Sequence, residues 1–260
     1  MQLTCIYCKG KKNAKLSREH TISKTVYETM FYPLKYIGTI TRSELYGDSL
    51  LKNFEPVTKD VCIQCNSDLG TYDMAGQYLA ESIREYTDIT GKKIPFSEKI
   101  LGWFIKTHLN NIRAFPNANS KKKYNLHEDF FEALINFRAI PTNLYNLFVE
   151  GWEGTDFLWD TSSRKRIQIL QGRNVEFILQ RILVSDLRIK TLRTFFLIPS
   201  DLDYTNFQER CLDVFNEMEN EYKFHITQVN IHDALVNNRL PVEKVRPLME
   251  ILNSISTIPN

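Results

Sequence analysis

The chain has 260 residues, 43% of them apolar, 12% aromatic and 25% charged, with 10 Gly and 9 Pro. That is the composition of a globular protein of one or two domains, and it excludes a disordered, collagenous or low-complexity chain. With 33 Lys and Arg against 31 Asp and Glu, the total charge says little about partners, so its distribution has to carry that argument.

The N-terminal MQLTCIYCKG has neither the apolar core nor the cleavage site of a signal peptide. No stretch approaches the roughly 20 apolar residues that span a bilayer, and a soluble, cytoplasmic protein is expected. The same segment opens the first of two CxxC pairs, Cys5–Cys8, which Cys62–Cys65 repeats; Cys211 stands alone in a helical pattern and reads as a small core residue. In a reducing compartment, paired CxxC units read as metal knuckles before disulfides, because zinc takes four thiolates tetrahedrally. A redox pair is disfavoured, since no βαβ pattern surrounds either unit.

Between Lys9 and Lys24 lie six basic residues, Lys9, Lys11, Lys12, Lys15, Arg18 and Lys24, against the single acid Glu19. Residues 25–52 mix aromatics, Gly, Pro and Thr without a sustained period and read as an insertion of short strands and loops. After Cys65 a helix is predicted from Leu69, Tyr72, Ala75, Leu79, Ile83 and Tyr86. Ser97 ahead of Ile100, Leu101, Phe104, Ile105, Leu109 and Ile112 predicts a capped amphipathic helix, and a domain boundary is placed near residue 91. Further helices are predicted at about 128–137 and 204–222, strands at 166–170, 177–184 and 194–198, and short helices in the tail, 231–258. The expected fold class is α+β, with the second region, 91–260, mostly helical. Short basic runs at 121–123 and 164–166 read as solvated surface. His108 reads as a hydrogen-bonded core histidine, and His127, His225 and His232 lack a ligand cluster. Trp103, Trp152 and Trp159 with Tyr145 and Phe157 read as core packing ahead of base stacking.

Ser17-Arg18-Glu19-His20-Thr21-Ile22 follows the first CxxC, and Asn66 directly follows Cys65. In its order CIYC, EHTI, CIQCN the sequence resembles the HNH endonucleases of the zinc-stapled ββα-metal kind, over roughly residues 1–80. The resemblance implies a ββα-metal domain at 1–90, a structural Zn²⁺ on Cys5, Cys8, Cys62 and Cys65, His20 as general base, and Glu19 and Asn66 as ligands of a catalytic Mg²⁺ or Mn²⁺. It implies metal-dependent phosphodiester hydrolysis of nucleic acid, DNA ahead of RNA, leaving 5′-phosphate and 3′-hydroxyl ends.

The residue types suit that chemistry, since imidazole titrates near neutrality and carboxylate and amide oxygens suit hard ions. Adjacent strand residues point to opposite faces, so Glu19 and His20 converge only if the strand bends or ends there. The family's middle asparagine is not matched: Pro56 stands at that place and Asn53 is nearest. Asp73, two helical turns after Asn66, is a further ligand candidate, with a capping or solvent-facing acid as its rival. For Asn66 the rival is helix capping, and for Glu19 a salt bridge with Arg18 or Lys15. Lys9, Lys11, Lys12, Lys15 and Arg18 are the expected phosphate contacts, giving salt-sensitive, weakly selective binding. A homodimer would account for double-strand cutting, though no pattern demands one. The alternative is a zinc-stapled binding module whose nuclease site has decayed.

Overall fold

The computed structural model describes residues 4–12, 14–20, 57–85, 93–114, 126–154, 175–184, 189–199, 202–220, 226–242 and 245–247, with the isolated residues 23, 25, 26 and 29. The first motif is an antiparallel pair, β1 (Leu16–His20) on β2 (Val57–Cys62), that runs without a break into helix α1 (Ile63–Glu85). Leu16 pairs with Cys62 and His20 with Val57, and the register shifts between Ser17 and Glu19, where β2 carries the extra residue. Such a bulge bends and twists a pair locally. Here it precedes the end of β1, leaving Glu19 buried and His20 half-buried.

Helix α1 forms as the apolar period predicts: Leu69, Tyr72, Leu79 and Ile83 are all buried. It packs on α2 (Glu98–Ala114), which Ser97 starts by accepting the Ile100 N–H at 3.3 Å. The two helices meet through reciprocal notches. A Cβ on Gly76 would lie 2.3 Å from the Trp103 ring, and one on Gly102 would lie 2.2 Å from the Tyr72 ring. Neither position has room for a side chain, so glycine at both sets the close approach.

Helix α2 departs from its amphipathic reading, because every residue from Ile100 to Asn110 is buried, including Lys106, Thr107, His108 and Asn110. It is a central helix, with α1 on one side and a sheet on another. A short α3 (Glu128–Ile135) caps with His127 and leads through a 3₁₀ turn (Thr142–Leu144) to β4 (Asn146–Gly154). Strands β5 (Val175–Val184) and β6 (Ile189–Pro199) are antiparallel neighbours, and β6 pairs along the whole of β4. The other edge of β4 is shared by β7 (Thr227–Gln228), antiparallel, and β9 (Val245–Pro247), parallel. Helix α4 (Phe207–Asn220) precedes β7; α5 (Ile231–Val236) and β8 (Arg239–Leu240) follow it, and β8 closes on β3 (Ile94–Pro95).

Among the described residues after residue 90, helix and strand are mixed, with the helices set around the sheet that β4 and β6 centre. Strand β4 escaped the sequence reading because Asn146 through Glu150 are all buried, so a strand covered on both faces shows no alternation. Among the described residues of the tail, the short helix α5 is followed by two short strands. The predicted strand at 166–170, both short basic runs and most of the insertion at 25–52 lie outside the described residues. One continuous apolar core runs from Cys5 and Val61 through Leu69, Phe104 and Phe130 to Phe196 and Leu240, drawing on both sides of residue 91. No helix among the described residues is long and apolar enough to cross a membrane.

Candidate functional site

The passage from β2 into α1 brings the cysteines together. Cys62 ends the strand and Cys65 lies in the first helical turn, where backbone N–H groups lack helical partners. The Cys65 N–H points at Cys62 Sγ at 3.5 Å, and the Cys62 N–H donates to Cys5 Sγ at 3.2 Å. All four sulfurs, from Cys5, Cys8, Cys62 and Cys65, are buried and lie within 4.8 Å of one another, with none in a disulfide. The Cys8 and Cys62 sulfurs are 3.8 Å apart, which is about the edge of a tetrahedron with metal–sulfur bonds of about 2.3 Å.

Burial raises the Cys62 and Cys65 thiols. It opposes ionisation of Cys8 as well, but the Lys12 and Gly10 N–H groups and the Cys5 thiol bring that pKa down to about 7. The quartet is positioned to bind a metal ion, and four thiolates suit zinc in a closed structural site. When bound, zinc would hold the deprotonated sulfurs together and tie the N-terminal knuckle to the hairpin and helix.

Beside this quartet lies a buried ionic cluster. Lys106 Nζ reaches from α2 to Glu19 Oε1 at 2.8 Å and to Asp73 Oδ2 at 2.7 Å, with Lys106 and Glu19 both almost wholly enclosed. Burial disfavours the ammonium, yet the charges of Asp73 and Glu19 outweigh it and raise the Lys106 pKa. Glu19 thus pairs with a distant lysine and not with Arg18 or Lys15. Asp73 is an internal ion-pair partner in the middle of α1.

Asn110, one turn beyond Lys106, donates to Glu19 Oε1 at 3.3 Å and to the His20 carbonyl at 3.2 Å. Arg113 donates to Asn110 Oδ1 at 2.7 Å and to Thr58 Oγ1 at 3.3 Å, pairs with Asp60 at 3.4 Å, and sits over the Tyr7 ring between the first two cysteines. The hairpin is therefore clamped from behind by α2, and the clamp reaches the first knuckle. Asn66 lies within the first turns of α1 and does not cap it; its amide donates to Ser17 Oγ at 3.2 Å, tying helix to strand.

Tested against a hard divalent ion, the donor types fit. Glu19 and Asp73 offer carboxylates, Asn66 an amide oxygen, and the Glu19–Lys106–Asp73 cluster carries one negative charge that Lys106 leaves unmatched. The two acids converge on an ammonium, however. Among the described residues, the four cysteines form the one group of three or more Cys, His, Asp or Glu side chains placed to hold a metal ion.

The chain stands apart in comparison with known proteins. No family model, curated protein or solved structure matches it significantly.

The basic run divides in two. Lys9 pairs with Glu128 at 3.0 Å and Lys12 with Asp68, whose carboxylate raises the lysine pKa. Lys11, Lys15 and Arg18 are exposed and have no ion-pair partner among the described residues. Lys24, Asn53 and Pro56 lie outside the described residues, as do Phe157, Trp159 and His225.

Trp103 and Tyr145 are core residues. His108 is a core histidine bonded to Thr194 Oγ1 at 3.1 Å, while His127 caps α3 through Nδ1. Lys106, Asn110 and Arg113 went unnoticed in the sequence. Their signal was available: three polar residues spaced four and three apart, which places them on one face of the helix.

Proposed function

We propose that the chain is a phosphodiesterase acting on nucleic acid, DNA ahead of RNA, with a zinc-stapled ββα-metal hairpin as its working part. The observation that carries this reading is the arrangement around His20. His20 ends β1 and is half-buried, the neighbouring β2 enters α1 at the cysteine quartet, Glu19 beside His20 shares Lys106 with Asp73 of α1, and Asn66 is tied to β1 through Ser17. Lys11, Lys15 and Arg18 precede and flank the same strand and offer charge to a phosphate backbone without reading sequence.

In this mechanism the His20 imidazole takes the proton of the attacking water as it closes on phosphorus, and the 3′ oxygen leaves, giving 5′-phosphate and 3′-hydroxyl ends. Asn110, bonded to the His20 carbonyl, restrains the backbone that carries this base. Glu19, Asn66 and Asp73 are the residues that would hold Mg²⁺ or Mn²⁺, which when bound supplies positive charge to the phosphoryl and leaving oxygens.

A second reading, a binding module with a decayed nuclease site, has one observation in its favour: both carboxylates are already engaged by Lys106. Plasmid cleavage separates the two. Zinc-loaded protein with Mg²⁺ or Mn²⁺ is expected to cut, and a His20→Ala variant that melts like the parent is expected not to. Cleavage that survives in His20→Ala refutes the assigned base. An inactive parent on double-stranded DNA, single-stranded DNA and RNA favours the binding module.

A further inference from the structure

Lys106 is the most completely buried charge in the described cluster, and apolar packing does not require it, since a methionine fills a similar volume on an enclosed helix. What it supplies is one positive charge held between two elements, at 2.8 Å from a carboxylate oxygen of β1 and 2.7 Å from one of α1. Those are the two acids that the proposed function gives to a divalent ion. An ion approaching Glu19 Oε1 and Asp73 Oδ2 has to take lone pairs that the ammonium already uses, and it meets a like charge while doing so.

We infer that Lys106 is an internal counter-cation that competes with a divalent metal ion for Glu19 and Asp73 and so holds the affinity of this site down. The inference rests on the reading of those acids as metal ligands under the proposed function. It assigns Lys106 a positioning role: the residue keeps the two carboxylates together while no ion is bound, and it yields oxygen atoms to an ion that binds. Asn110, which also donates to Glu19 Oε1, carries no charge and adds no comparable repulsion.

The test is Mn²⁺ binding to the full-length, zinc-loaded protein at pH 8, read by the electron paramagnetic resonance of free Mn²⁺. Lys106→Met is expected to bind roughly tenfold tighter than the parent or better. Asp73→Asn, which keeps the ammonium and loses a ligand, is expected to bind more weakly than the parent. Lys106→Met affinity equal to or below that of the parent overturns the inference, as does Mn²⁺ binding by neither protein.

Lys106→Met can fail to fold, so the parent supplies a second measurement. Mg²⁺ is titrated while the ¹⁵Nζ resonance of the buried ammonium is followed. A shift that saturates supports competition, and a signal unmoved at saturating Mg²⁺ refutes it. Neither readout uses cleavage. Tighter Mn²⁺ binding in a chain that cuts nothing would sink the nuclease reading alone, and cleavage with unchanged Mn²⁺ affinity would sink the competition alone.

Discussion

Asn110→Ala tests whether α2 holds the hairpin. The side chain is fully buried and makes three hydrogen bonds: to Glu19 Oε1 at 3.3 Å, to the His20 carbonyl at 3.2 Å, and from Arg113 at 2.7 Å. Two of these involve a charged partner, each contributing about 1.5 kcal/mol or more, and the neutral one adds about 0.5–1 kcal/mol. The long distances to Glu19 and His20 argue for the low end, and Lys106 still satisfies Glu19. The expected loss is therefore about 3 kcal/mol, and in a chain of this size a melting temperature lower by roughly 6–12 °C. Urea unfolding gives the first number and differential scanning calorimetry the second. If the clamp also serves His20, plasmid cleavage under conditions where the variant remains folded falls with KM little changed. A variant that unfolds and cuts like the parent refutes the reasoning, because the three bonds would then contribute nothing net.

The remaining predictions concern pH, metal and salt. Burial lowers the His108 pKa to about 3, against about 6.5 in the unfolded chain, so below neutrality the unfolded state binds the extra proton and stability falls with pH. From pH 7 to pH 5 this group removes about 2 kcal/mol; urea midpoints of His108→Gln, which cannot titrate, should lack that part, and an equal drop in both proteins would exclude it. Purified protein should carry about one zinc per chain. Its removal by a chelator should lower the melting temperature, with zinc readdition releasing protons from the raised Cys62 and Cys65 thiols. Replacing Lys11 and Lys15 together by Ala should reduce the salt dependence of DNA binding by roughly two in log–log slope. Replacing Lys9 and Lys12, already paired with Glu128 and Asp68, should reduce it less; equal effects would contradict the division.

The sequence by itself determined the features set by near neighbours or by chemistry that few residues perform. Two CxxC pairs of equal spacing were enough to anticipate the quartet, because four thiols at that spacing serve few other purposes in a protein of this composition. Helices α1, α3 and α4 and the Ser97 cap of α2 were legible for the same reason, their apolar periods and caps lying within a few residues of one another. Tertiary structure alone decided what surrounds Glu19. The partners Lys106 and Asn110 lie 87 and 91 residues further along the chain, and no local pattern records a meeting between a strand and a helix so far apart. Strand β4 was hidden because burial on both faces erases alternation, and α2 was misread because amphipathic spacing cannot tell an exposed polar stripe from one buried against charges of opposite sign. Whether two acids bind a metal ion or a lysine is fixed by which side chain the fold brings between them, and that is a property of packing.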